Sequence, residues 1–122
     1  SLYFPSLERD TYLTLLKHCR LLIGNSSSGI IEAATFKIPV INLGHRQDGR
    51  QRNANTIDVP TVRVSTILAA YKKSQSPAFQ KRLCTVQNVY GQGNAGTKIA
   101  DCMTKLLRHH SKEKLLYKKF SI

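Results

Sequence analysis

Three short segments of the chain carry residue types that can do chemistry. The first is Gly24-Asn25-Ser26-Ser27-Ser28-Gly29-Ile30-Ile31-Glu32-Ala33, which follows the apolar run Leu21-Leu22-Ile23. Three hydroxyls beside the free N–H groups of a helix start suit a phosphate. Gly24 lets a ligand approach the backbone closely. The same residues also describe a serine that caps a helix while its neighbours stay solvated, and spacing alone leaves both readings open. Glu32 lies four residues after Ser28, about one helical turn on. A carboxylate is a poor neighbour for phosphate but accepts well from the two hydroxyls of a ribose, so the pair would clamp a nucleotide. Taken singly, a Glu there is also explained by a favourable helix dipole.

The second segment is Gly44-His45-Arg46-Gln47-Asp48-Gly49-Arg50, with Arg52 close behind. Guanidinium groups at the end of a strand can grip a diphosphate in bidentate fashion. Solvated surface arginines are the competing explanation. The third is Asn88-Val89-Tyr90-Gly91-Gln92-Gly93-Asn94-Ala95-Gly96. Its Gly91 to Gly96 portion matches G-x-G-x-x-G, but no strand precedes it and no acidic residue follows at the expected distance. Two other motifs fail at the serine loop. Gly24 and Gly29 have P-loop spacing, yet Ile30-Ile31 stand where Lys and Ser/Thr are needed. A G-x-S-x-G elbow fails because Ser28 takes the place of its second glycine.

These segments need elements to hold them. Residues from about Glu8 to Cys19 have helical apolar spacing. Arg20 to Ile23 and Pro39 to Leu43 read as buried strands, with a short helix from Gly29 to Phe36 between them. Strand, helix, strand in so few residues is a βαβ unit, which predicts an α/β fold with a parallel sheet. Thr56 to Val59, and Val62 to Val64 beyond Pro60, are further strand candidates. Ser65 is expected to cap a helix through Lys72, and Pro77 to open another running to about Leu83. The longest helical stretch is Thr97 to about Leu116. No linker divides the chain, so one domain over 1–122 is expected, with a basic helical tail from about 108 to 122.

Composition supports a packed core: 41% of the 122 residues are hydrophobic. No apolar run reaches the ~20 residues of a membrane span, and no signal peptide is indicated. The sole methionine is Met103, as expected of a processed chain or a piece of a longer one. Cys19, Cys84 and Cys102 form no metal-binding pattern with the histidines. Buried or partly buried free thiols in a reducing cytoplasm are expected, with no metal and no redox cofactor. Nineteen Lys and Arg against seven Asp and Glu give a net charge of +12. That excess favours a polyanionic or phosphate-bearing partner.

Taken in order, Gly24 to Ala33, Ile38-Pro39-Val40-Ile41-Asn42-Leu43-Gly44, Arg46 to Arg50 and Asn88 to Ala95 resemble the UDP-N-acetylglucosamine 2-epimerases, and most of all their hydrolysing branch. The resemblance runs from about Arg9 to Leu107. It implies a Rossmann-like three-layer domain, the C-terminal half of a GT-B fold, facing an N-terminal domain across a cleft. It places the UDP contacts on Ser26, Ser27, Glu32 and Arg46: serines and helix start at the diphosphate, Glu32 at the ribose, Arg46 beside the nucleotide. Gly24, Asn25, Ser28, Gly29 and Arg50 match the pattern without an assigned role. The implied ligand is UDP or a UDP-N-acetylhexosamine, in a parent enzyme that removes the C2 proton, eliminates UDP and yields N-acetylmannosamine or a related sugar. The acid–base carboxylates of that reaction lie largely upstream, so this chain alone is expected to bind rather than catalyse. A homodimeric, cytoplasmic parent is compatible with the resemblance. His45 and the basic tail depart from the family pattern.

Two other readings compete. A basic nucleic-acid-binding module would use the +12 charge, although neither an RNA-stacking aromatic pattern nor a helix-turn-helix is present. Another GT-B sugar-nucleotide enzyme is opposed by Arg46-Gln47-Asp48-Gly49-Arg50.

Overall fold

A computed structural model describes residues 1–109, in two compact units: Ser1–Tyr90, and a second that begins at Gly91. In the first, α1 (Arg9–His18), β1 (Leu22–Gly24), α2 (Ser27–Ile31), a 3-10 turn (Ala33–Phe36), β2 (Val40–Leu43), β3 (Thr56–Val59), α3 (Val64–Ser74) and α4 (Pro77–Cys84) follow in order. The strands form one parallel sheet in the order β1-β2-β3, with Leu22 opposite Val40 and Val40 opposite Thr56.

Side chains alternate across the sheet because successive residues of a strand face opposite ways. Val40 packs with Leu16 of α1, Ala33 and Ile38, flanked by Tyr12, Leu22 and Phe36. Ile41 faces the other way, among Ile57, Val59, Ala70 of α3, and Phe79 and Leu83 of α4. Helices therefore cover both faces, and β2 is buried along nearly its whole length, as the middle strand of a parallel sheet should be. The architecture is α/β and Rossmann-like.

One glycine sets how closely helix and sheet approach. A Cβ on Gly29 would lie 3.0 Å from Val40 Cγ1 and 3.3 Å from Leu22 Cδ2. The helix that carries the serines rests directly on β1 and β2.

Several elements differ from expectation. The helix foreseen from Gly29 to Phe36 is two pieces, split at Glu32, and it begins earlier, at Ser27. Val62 to Val64 is not a strand. Thr66 Oγ1 accepts from the Arg63 N–H at 3.1 Å and donates to the Thr61 carbonyl at 2.7 Å, drawing the chain into the first turn of α3. Arg63, not Ser65, is the cap position of that helix. Ser76 caps α4 by accepting from the Phe79 N–H, with Pro77 at the first turn.

The second unit contains α5 (Ala95–His109), preceded by Gly91 and Gly93 at positive φ. Ile99, Met103, Leu106 and Leu107 of α5 are exposed. The expected continuation to Leu116, and Lys112, Lys114, Lys118 and Lys119, lie outside the described residues. No described helix is long and apolar enough to cross a membrane.

Candidate functional site

The serine loop leaves the carboxyl end of β1 and the arginine loop leaves that of β2, the edge where open α/β sheets gather ligands. The three serines are not equivalent. Ser26 is the N-cap of α2, its Oγ accepting from the Ser28 N–H at 3.3 Å. Ser28 Oγ accepts from the Tyr12 hydroxyl at 2.7 Å, which ties it to α1. Ser27, the first helical residue, makes no side-chain hydrogen bond among the described residues. The capping explanation is thus realised at Ser26, and Ser27 keeps its hydroxyl available.

Glu32 sits one turn on, its N–H donating to the Ser28 carbonyl at 2.9 Å. Its carboxylate is three-quarters buried and pairs with Arg9 at 3.3 Å. Sequence reasoning missed Arg9, which precedes Glu32 by most of α1 and β1 and gives no local signal.

The arginine loop is held chiefly by the side chains of Gln47 and Arg52. Gln47 is 3% exposed and its Nε2 donates to the Asn25 carbonyl at 2.7 Å, joining the two loops directly. Arg52 donates to both Asp58 carboxylate oxygens at 3.1 Å and to the carbonyls of Gln47 (2.6 Å) and Arg50 (2.7 Å). Asp58 also accepts from Asn42, which is buried in β2. Arg52 is therefore the strut of the loop, while Arg46 and Arg50 remain exposed. His45, the departure from the family pattern, donates through Nδ1 to Asp48 Oδ2 at 2.9 Å.

Two asparagines bring in the third segment. A five-residue helix leaves most of its C-terminal carbonyls without backbone partners. Asn53 Nδ2 donates to the Ile30 carbonyl at 2.9 Å and Asn88 Nδ2 to the Ile31 carbonyl at 2.7 Å. Asn53 Oδ1 accepts from the Val89 N–H at 2.8 Å, and the Tyr90 hydroxyl donates to the Gln51 carbonyl at 2.9 Å. Residues Asn88, Val89 and Tyr90 of the third segment are thus hydrogen-bonded into the assembly around α2. Asn53 and Asn88 gave no sequence signal of this role, because their partners lie 23 and 57 residues away.

A cavity of about 390 Å³ lies elsewhere, between β3 and α3, lined by Val59, Pro60, Ala70 and Lys73 among others. Its lining is mostly apolar, with Asp58, Thr61, Thr66 and Lys73 the polar members, and it holds neither the serines nor the arginines of the loop region. Cys19 is half-buried beside Leu16 and Val40, and burial raises its thiol pKa against the lowering by nearby backbone hydrogen bonds. Cys84 and Cys102 are exposed, contrary to the expectation of buried or partly buried thiols. Cys84 follows the core residue Leu83 on α4 and so turns to the outer face. No three His, Cys, Asp or Glu side chains gather as metal ligands among the described residues.

A parallel sheet with helices on both faces, and with hydroxyl-rich and arginine-rich loops at its carboxyl edge, defines the class of Rossmann-like α/β domains. Residues 2–104 match the family model described as UDP-N-acetylglucosamine 2-epimerase, and the chain belongs to that family. It is 41% identical over 93 residues to polysialic acid biosynthesis protein P7 of Escherichia coli, covering 76% of this chain and 24% of that protein. It is 42% identical over 78 residues to a GDP/UDP-N,N'-diacetylbacillosamine 2-epimerase (hydrolyzing) of Campylobacter jejuni, covering 64% and 20%. A UDP-N,N'-diacetylbacillosamine 2-epimerase (hydrolyzing) of Legionella pneumophila is 35% identical over 103 residues, covering 84% and 26%. The chain thus spans about a quarter of the length of these relatives.

Proposed function

We propose that this chain is the UDP-binding part of a hydrolysing UDP-N-acetylglucosamine 2-epimerase, acting on a UDP-N-acetylhexosamine together with an N-terminal domain. Ser26, Ser27 and the start of α2 face the diphosphate, Glu32 accepts the ribose hydroxyls, and Arg46 lies beside the nucleotide. Gly24, Asn25 and Arg50 shape the same rim. The observation that carries this reading is the Gln47 to Asn25 hydrogen bond, which holds the arginine loop against the serine loop. That bond sets the loops that follow β1 and β2 side by side. Family membership and the hydrolysing relative of Legionella pneumophila, whose name specifies a UDP sugar, support the assignment of the nucleotide.

The role of the protein groups is positional and electrostatic. Hydroxyls, N–H groups and Arg46 would stabilise the negative charge that gathers on UDP as it departs. Proton abstraction at C2 needs groups from the rest of the enzyme. Calorimetric titration with UDP tests the site. Binding is expected, weakened at least ~10-fold in Glu32→Ala, the equivalent of about 1.4 kcal/mol. No heat at millimolar UDP would sink the claim of an autonomous site. UDP release from UDP-N-acetylglucosamine should be absent for this chain alone, and turnover would show that the catalytic groups are misassigned.

A further inference from the structure

The cavity of about 390 Å³ between β3 and α3 contains none of the residues assigned to UDP, and its lining follows the edge of the sheet. Five consecutive residues, Ile57 to Thr61, form one side. Neighbours in a strand face opposite ways, so a cavity that touches all of them runs along the strand's edge rather than over one face. The other side is Thr66, Ala69, Ala70 and Lys73, spaced as one face of a helix. The result is a groove between a strand edge and a helical stripe of small residues ending in a cation.

The strand edge is open. The Asn55 and Val59 carbonyls accept from the Val40 and Gly44 N–H groups, both at 2.9 Å, and so point toward β2. Alternation turns the N–H and C=O of Asp58 the other way, where no strand pairs with β3 among the described residues. Charged side chains commonly guard such an edge. Here the Asp58 carboxylate is already held by Asn42 and Arg52. The surroundings are of one sign: residues 59–90 contain Arg63, Lys72, Lys73, Lys81 and Arg82 but no Asp or Glu. A second copy of this chain, also at +12, is repelled. A nucleic acid offers no peptide backbone to pair with the edge.

We propose that this groove captures an acidic peptide in extended form, added as a strand to the open edge of β3, with an apolar side chain over Ala69 and Ala70 and a carboxylate at Lys73. The groove and the nucleotide site share no assigned residue, so either reading can fail alone.

Fluorescence anisotropy with a labelled peptide of alternating glutamate and valine tests the capture. The control has the same charge with proline in place of valine and cannot pair as a strand. The valine peptide should bind at least ~10-fold more tightly than the control. Ala69→Arg, at an exposed position, should weaken that binding at least ~5-fold because the new side chain fills the groove. Simple attraction between opposite charges predicts the reverse. Equal affinity for the two peptides, or tighter binding by Ala69→Arg, would overturn the proposal. Amide exchange followed by NMR reads the strand itself: saturating valine peptide should slow the Asp58 amide at least ~10-fold. An unchanged Asp58 amide would count equally against capture. A free chain that sediments as a dimer with a slow Asp58 amide would assign the edge to a second copy instead.

Discussion

At the scale of single residues, the site rests on side chains whose value depends on distant partners. Glu32 and Arg9 form an ion pair in which the Arg9 side chain is 76% exposed. Such a pair contributes little, so Arg9→Ala should change stability by less than ~1 kcal/mol in chemical denaturation. If Glu32 holds the ribose, the same variant should bind UDP at least as tightly as the wild type. Asn53 is a different case. Removing its amide strands the buried Ile30 carbonyl and also takes the acceptor from the half-buried Val89 N–H hydrogen bond. Asn53→Leu should cost about 2–4 kcal/mol by denaturant titration. Gln47→Leu should cost less, because Gln47 Oε1 is itself buried without a partner among the described residues and its removal relieves that penalty. The raised thiol pKa of Cys19 leaves less thiolate at any given pH, so iodoacetamide at pH 8 should modify Cys19 more slowly than Cys84.

At the scale of elements, Val40-Ile41-Asn42-Leu43 was legible as a strand because burial on both sides imposes a continuous apolar run. The break at Glu32 was not. Ile30, Ile31, Ala33 and Ala34 keep helical spacing straight through it, and only the hydrogen bonds reveal that the helix tightens into a 3-10 turn ending at Lys37 in the left-handed region. The resemblance supplied the order of the three motif segments, and the structure supplied what joins them: Gln47, Arg52, Asn53 and Asn88. These are polar residues in irregular segments, where periodicity carries no information. The contact between α2 and the sheet can be tested directly. Gly29→Ala places a methyl 3.0 Å from Val40 and should destabilise the chain by about 1–3 kcal/mol, read as a lower melting temperature.

At the scale of the whole molecule, the charge of +12 and the nucleotide site make different predictions. A diphosphate held by one or two cations loses only a few-fold in affinity between 50 and 200 mM salt, whereas a duplex contacted at several phosphates loses ~10³ or more. Titrating UDP and a random DNA duplex across that range separates specific recognition from general attraction to polyanions. The exposed lysines and arginine of α5, Lys98, Lys105 and Arg108, belong to the second behaviour.

The contact at Gly29 has a consequence for how the pocket responds to change. With no side chain between α2 and the strands, Val40 and Leu22 act as the floor that fixes the height of the serine loop above the sheet. The ligand site then works as a gauge of core packing. Enlarging Val40 to Ile should lift the serines from their working depth and weaken UDP binding by more than its modest effect on melting would imply.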